Sequence, residues 1–297
     1  MLDRRTLLAA LAATPAAALA VGAGAPVLAA AARSAISRRM ADIERMSGGR
    51  LGVAALDLQT QARFAYRADE RYPMCSTFKA SLAALVLKRA DEGRERLDRV
   101  VAYGPEALVN YAPVTEKHVG AGLPIRTLCE AAVTQSDNTA ANLLLEAVGG
   151  PPALTAFWRS LGDQVTRLDR HETEMSEAVP GDVRDTTSPA AMLDSLRKLT
   201  LGDALSASSR AQLTAWLVAN QTGGKRLRAG LPEGWRVGDK TGSGGHGTTN
   251  DIAVIWPPGR APLLISVYLT QATVGGGGRD AALASVARLL TTSGFGG

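Results

Sequence analysis

The sequence predicts an α/β fold in which the sheet-forming segments lie at the two ends of the chain and enclose a long helical stretch. Two observations predict it. Strand patterns occur at 51–66 and again at 235–270, and between them the chain reads almost entirely as helices and loops. A third observation sets the scale: 297 residues, 46% hydrophobic, suffice to bury the core of one large or two modest domains.

Taken in order, residues 33–47 show Ile36, Met40, Ile43 and Met46 at helical spacing. Residues 51–58 read as a strand, 59–61 as a turn and 62–66 as a returning strand, a hairpin packed by that helix. A long apolar helix over 77–92 is ended by Gly93, and another over 124–133 starts with Pro124 near its first turn. A third over 138–148 is stopped by Gly149-Gly150, and 188–199 and 208–220 continue the set. Residues 163–187 are polar and without period, so they form a long loop. Strands return at 235–240, 249–256 and 263–270, and a helix over 280–290 closes the chain. The expected organisation is a discontinuous α/β lobe, 33–67 with 219–297, and a helical lobe, 68–218. A cleft between lobes is a common place for a site.

Residues 1–32 read as an export signal. Arg4 and Arg5 precede a weakly apolar, alanine-rich run broken by Pro15, Gly22, Gly24 and Pro26, which argues for a cleaved twin-arginine signal and against a membrane anchor. The product is then periplasmic or secreted, with no stable membrane association. A net charge of +5 is scattered rather than blocked, and aromatics make up only 4%, so nucleic-acid binding has little support. His118, His171 and His246 are far apart and no cysteine cluster exists, so neither a metal nor a cofactor is expected. Cys75 and Cys129 allow one disulfide at most.

Three short motifs carry chemistry. Ser76-Thr77-Phe78-Lys79 heads the apolar helix, where backbone N–H groups point outward and Lys79 lies one turn on, on the same face. A lysine there helps deprotonate a serine nucleophile; alone, Ser76 is as well read as a helix cap. Ser136-Asp137-Asn138 falls at a loop-to-helix junction. Ser136 can pass a proton to a leaving nitrogen and Asn138 can bind a substrate amide, though an N-cap explains the triplet equally. Lys240-Thr241-Gly242-Ser243 ends a strand. Lys240 and Thr241 can bind a carboxylate, Gly242 admits a close approach, and the following N–H can serve an oxyanion; the alternative is a plain hairpin turn.

Together and in this order, the three triplets are the signature set of class A β-lactamases and penicillin-binding proteins. Over essentially the whole chain after the export segment, the sequence resembles class A serine β-lactamases of the penicillinase and extended-spectrum type. The resemblance implies an antiparallel sheet flanked by helices with an inserted helical domain, a monomer, and a small-molecule β-lactam as substrate. It implies a Ser76 acyl-enzyme, with the Ser76 and Ser243 N–H groups as oxyanion hole, and Lys79 directly or Glu172 through water as the acylation base. Residues 170–185 resemble the Ω-loop of the family. Glu172 matches the glutamate that activates the deacylating water, and Arg170 and Asp185 match the pair that closes the neck. Taken alone, Glu172 would be a solvated loop carboxylate. Tyr111 resembles the aromatic at the cleft entrance, although surface packing accounts for it too. Arg226 lies where some members place a carboxylate-binding guanidinium, and Thr249 stands where others carry an arginine; the plain alternative for Arg226 is a solvated charge.

The sequence departs from the family in places. Ser176 stands where most members have asparagine beside the deacylating water, which puts the deacylation rate in question. The residues that pair with Cys75 and Cys129 in relatives are replaced by Gly244 and Ala83, so two free thiols are expected and a carbapenem-hydrolysing reading is weakened. Ser243 and the run 247–251 resemble broad-spectrum cephalosporin-hydrolysing members. Rival readings are a D,D-peptidase or acylated sensor, which lacks the deacylating glutamate; an esterase, which normally has tyrosine in place of Ser136; and a non-enzymatic binding module. A Ser-His-Asp hydrolase lacks its nucleophile elbow here.

Overall fold

The structure, a computed structural model, describes residues 24–295. Most of the expected export segment, residues 1–23, lies outside the described residues. The first helix, α1 (Gly24–Ser47), begins earlier than the expected 33 and runs into the hairpin of β1 (Arg50–Asp57) and β2 (Arg63–Tyr66). Strands β7 (Arg236–Gly244), β8 (Thr248–Trp256) and β9 (Leu263–Thr270) complete one antiparallel sheet of order β2-β1-β9-β8-β7. The chain's two ends thus meet at the β1–β9 pairing, where Val53 faces Val267.

Alternation along these strands divides the core in two. Leu51, Val53 and Ala55 of β1, with Ile265, Val267 and Leu269 of β9, pack under α1 and the closing helix α9 (Gly276–Thr292). Ala54, Leu56, Ile252, Leu264 and Tyr268 face the other way, into the larger cluster shared with the helices. With apolar groups buried on both faces, this antiparallel sheet reads as continuous hydrophobic runs rather than the half-solvated pattern.

Helix α2 (Phe78–Asp91) is buried from Phe78 through Leu87, on every side, as an all-round apolar helix must be. Around it stand α3 (Ile125–Glu130), α4 (Asn138–Val148), α5 (Gly150–Ser160), α6 (Pro189–Leu201) and α7 (Ala207–Val218). Two of these, α6 and α7, also pack on the sheet, so the helical stretch is joined to the strands along its length.

Several elements differ from the expectation. Gly149, at φ 104°, caps α4, but α5 starts at once at Gly150, and the prolines at 151 and 152 occupy its first turn, where a missing N–H does no harm. The helix expected over 124–133 passes after Glu130 into one π turn (Ala131–Gln135) that ends on Ser136 in the left-handed region. Within the expected loop 163–187, a 3-10 turn forms at Glu174–Ser176, and β6 (Thr186–Thr187) pairs with β3 (Tyr72–Pro73). Lys240-Thr241-Gly242-Ser243 lies inside β7 rather than at a hairpin turn, because that strand continues to Gly244. The pairing of β4 (Val100–Val101) with β5 (Leu123–Pro124) and the single turn of α8 (Leu227–Gly230) carry too few residues for a periodicity to register. Among the described residues no helix is long and apolar enough to cross a membrane.

Candidate active site

Where α2 meets the edge strand β7, a cleft of about 380 Å³ is lined by Ser76, Tyr111, Ser136, Asn138, Arg226 and Ser243, among others. Residues from all three motifs therefore reach one place. Ser76 sits in a 3-10 turn (Cys75–Thr77) leading into α2, where the first N–H groups have no helical partner. Strand β7 packs directly on that turn. A Cβ on Gly242 would come within 2.8 Å of the Met74 carbonyl oxygen, so only glycine allows this approach. Asn250 on β8 ties the same turn down from below, its Nδ2 donating to the carbonyls of Pro73 (2.9 Å) and Met74 (3.0 Å).

The centre of the site is a buried ion pair. Lys79 and Glu172 approach to 3.1 Å with both side chains almost wholly buried. Ser76 Oγ donates to the same oxygen, Glu172 Oε1, at 2.9 Å, and Ser176 Oγ donates to Oε2 at 2.9 Å. Burial pushes the Glu172 carboxyl up, but the Lys79 charge and the bonds from Ser176, Ser76 and Lys79 outweigh it and hold it below the usual carboxylate range. Burial pulls Lys79 down, more than Glu172 and Asp137 restore, so its ammonium releases a proton more readily than a surface lysine's. Lys79 Nζ also donates to Ser136 O at 2.9 Å and to Asn138 Oδ1.

Opposite stands Lys240, fully buried, with Nζ 3.1 Å from Ser136 Oγ and 3.0 Å from Thr241 O. Burial and the nearby Lys79 charge push its pKa down to about 7. Tyr111 is exposed at the rim, its backbone at φ 66°, and its carbonyl accepts from Asn138 N. Residues at positive φ thus flank the cleft at Cys75, Tyr111 and Ser136, a clustering common at functional sites.

The loop that brings Glu172 inward is closed at its neck by an ion pair. Arg170 Nε pairs with Asp185 Oδ2 at 2.7 Å, and the N–H groups of Asp169 and Arg170 donate to Asp185 Oδ1. Arg170 Nη1 also reaches Glu177.

Arg226 lines the cleft but is largely committed to the protein. It pairs with Asp280 (2.8 Å), donates to the carbonyls of Gly242 and Asn250 (2.8 Å each), and gives Nη2 to Ser243 Oγ at 2.7 Å. The guanidinium is therefore held in one orientation rather than left as a free fork. At Thr249, read as lacking an arginine, Arg279 supplies one from α9, with Nε donating to Thr249 Oγ1 at 3.0 Å.

Other residues that shape the site escaped the sequence reading. Asn142 brackets Glu172, accepting from its N–H (2.9 Å) and donating to its carbonyl (2.8 Å). No local pattern marks such a contact across 30 positions. Asp137, inside the second motif, is buried and caps α4 through Ala140 N, while also accepting from Val114 N, Thr115 N and the Thr115 hydroxyl. The N-cap position was legible; its grip on the Tyr111 loop was not. Thr222 shares a hydroxyl contact with Thr241 at the cleft wall. Cys75 and Cys129 are both unpaired and buried, and a Cβ on Gly244 would lie 2.6 Å from Cys75 Sγ. Among the described residues no three His, Cys, Asp or Glu side chains gather to hold a metal ion.

Comparison with known proteins agrees with this geometry. The profile described as "Beta-lactamase enzyme family" matches residues 35–293. Beta-lactamase OXY-2 of Klebsiella oxytoca is 49% identical over 261 residues, 88% of this chain and 90% of that protein. Beta-lactamase CTX-M-8 of Citrobacter amalonaticus is 50% identical over 256 residues, 86% of this chain and 88% of its own length. Among solved structures, an ancestral (GNCA) class A β-lactamase superposes with a TM-score of 0.86 at 68% identity, covering 87% of this chain and 99% of that one. A match over nearly the whole described fold, at this identity, means that the chain belongs to the β-lactamase enzyme family and is a class A member of it.

Proposed function

We propose that this enzyme opens β-lactam rings through an acyl-enzyme on Ser76, which a water activated by Glu172 then hydrolyses. The observation that carries the reading is the sharing of one carboxylate oxygen, Glu172 Oε1, between Ser76 Oγ at 2.9 Å and Lys79 Nζ at 3.1 Å. A base in hydrogen-bond reach of the nucleophile is the first requirement of general-base catalysis.

In the first half-reaction Ser76 Oγ attacks the lactam carbonyl and its proton passes to the Glu172–Lys79 pair. The carbonyl oxygen, now negative, is received by the N–H groups of Ser76 and Ser243. The C–N bond breaks, and the nitrogen takes the hydroxyl proton of Ser136, which Lys240 Nζ orients from 3.1 Å; the proton held by the Glu172–Lys79 pair then returns to Ser136 Oγ and leaves Glu172 ionised. In the second half-reaction water gives a proton to Glu172 and attacks the ester carbon; the bond from that carbon to Ser76 Oγ breaks, and the proton on Glu172 passes to Ser76 Oγ. Ser176 holds Glu172 through Oε2. Asn138 binds the substrate amide, Lys240, Thr241, Ser243 and Arg226 receive its carboxylate, Gly242 lets β7 lie close, and Tyr111 borders the mouth. Arg170 and Asp185 keep the loop closed behind the base. Destruction of the antibiotic in this way confers resistance.

The same proposal includes export to the periplasm or the exterior and action as a monomer. Export rests on the sequence of residues 1–32, and the twin-arginine route on Arg4 and Arg5 alone. The division into lobes at 67/68 and 218/219 is likewise a proposal, supported by the strands of the main sheet falling within 50–66 and 236–270.

The test is hydrolysis of a chromogenic cephalosporin by the wild type and by Glu172→Ala, with intact mass recorded after mixing. Turnover by the wild type and a stable adduct on the variant is the expected result. A stable adduct on the wild type, without turnover, would make the chain an acyl-trapping peptidase or sensor.

A further inference from the structure

A second cavity, of about 590 Å³, shares no lining residue with the catalytic cleft. Arg71, Arg159 and Arg167 line it against a single carboxylate, Asp169. The three guanidinium groups are gathered on consecutive residues of one segment. Arg71 Nη1 donates to Val165 O at 2.8 Å, Arg159 Nη1 to Thr166 O at 2.8 Å, and Arg167 comes next in the chain. Arg167 turns its Nε to Asp169 at 2.9 Å. Arg71 and Arg159 have no carboxylate partner among the described residues. Each makes its side-chain hydrogen bonds through Nη1 alone, Arg71 also to Thr186 Oγ1 and Arg159 also to Asp163 O.

Bracing the 163–166 segment accounts for those Nη1 atoms, but it leaves the Nε and Nη2 of both arginines without a partner among the described residues. A guanidinium does not deprotonate in a protein, so the cavity keeps an uncompensated positive charge at any working pH. The planar Nε–Nη2 edge matches two oxygens of a tetrahedral anion, and two such edges match the charge of a compact dianion.

We propose that this cavity binds a phosphate dianion on the free edges of Arg71 and Arg159. The site adjoins the neck of the loop that carries Glu172. Arg71 reaches Thr186, Arg167 N donates to Thr186 O at 3.0 Å, and Asp169 Oδ2 accepts from Asp185 N at 3.0 Å. Occupancy therefore braces that neck from outside the catalytic cleft.

The experiment titrates the uniformly ¹⁵N-labelled protein with inorganic phosphate, with sodium chloride balancing the ionic strength. Saturable shifts are expected at the amides of Val165, Thr166 and Arg167. The double variant Arg71→Gln/Arg159→Gln keeps an amide donor for the backbone carbonyls and removes both charges. It is expected to weaken binding at these amides by at least about tenfold, as loss of charge-assisted bonds implies, while turnover of a chromogenic cephalosporin without phosphate stays unchanged. Shifts confined to Thr241 and Ser243 would place the anion in the catalytic cleft and overturn the proposal. So would no saturable shift at all, or equal affinity in a double variant that still turns over. The wild-type titration decides the matter even where the double variant fails to fold.

Discussion

Ser176 Oγ donates a 2.9 Å hydrogen bond to Glu172 Oε2, on the side of the carboxylate that faces away from Ser76. The two oxygens of Glu172 are thus divided, one for the nucleophile and Lys79, the other for Ser176. Since this bond favours the ionised carboxylate, its removal works against the base. In Ser176→Ala the pH below which deacylation fails should move upward, and the deacylation rate at neutral pH should fall roughly tenfold, the worth of one bond to a charged group. Ser176→Asn restores a donor on a longer arm and should change the rate for at least one substrate class. Single-turnover measurements with a penicillin, a cephalosporin and a carbapenem check both; equal rates for all three in both variants would remove Ser176 from the mechanism.

Lys240 sets a limit on the alkaline side. Its pKa is pushed down to about 7 by burial and by Lys79, so the free enzyme loses this positive charge as the pH rises through that value. Affinity for a substrate carboxylate should then weaken, with KM rising roughly tenfold between about pH 6 and pH 8 and kcat changing little. Stability should move the other way. An unfolded chain holds the Lys240 proton up to the ordinary lysine value and the folded chain does not, so stability should rise with pH between those two values. Steady-state kinetics at constant ionic strength and denaturant titrations across that range give the two readings.

Gly242→Ala should abolish acylation without unfolding the protein. The new Cβ would meet the Met74 carbonyl oxygen at 2.8 Å, and backbone on both sides must yield. Displacing β7 from the Ser76 turn by even a few tenths of an ångström misaligns nucleophile and oxyanion donors. A loss of at least about a hundredfold in kcat/KM is expected, with a stability loss of about 1–3 kcal/mol from overpacking. Acylation rates and a thermal melt separate the two effects.

Both cysteines should be silent in the native protein. Cys75 and Cys129 are completely buried, and burial pushes both thiols far up, away from the reactive thiolate. A thiol reagent should label neither in buffer and both after denaturation without reductant. A single disulfide in the denatured sample would contradict the separate burial seen here.

Residue types and spacing made the three motifs legible in the sequence, while Glu172 and the Arg170–Asp185 pair were picked out only by the resemblance to class A β-lactamases. Each motif rests on a local feature: a serine heading an apolar helix, a triplet at a helix cap, and a lysine and glycine on a strand. The apolar runs of β1, β9 and α2 were legible too, since burial on both faces of the sheet and on every side of the helix leaves few polar positions in them. By contrast, α5 was lost behind Gly149 and two prolines, and the pairing of residues 72–73 with 186–187 was too short to leave a pattern. Contacts between distant segments belong to the tertiary structure alone. Asn142 bracketing Glu172, Arg226 committed to Asp280 rather than left free, Arg279 arriving at Thr249, and Gly242 lying against Met74 all depend on which surfaces meet once the core has packed. Sequence by itself determined which groups the proposed chemistry can draw on, because chemistry depends on side-chain type. The fold decided how they are held and charged, because hydrogen-bond distance, desolvation and neighbouring charge exist only after burial.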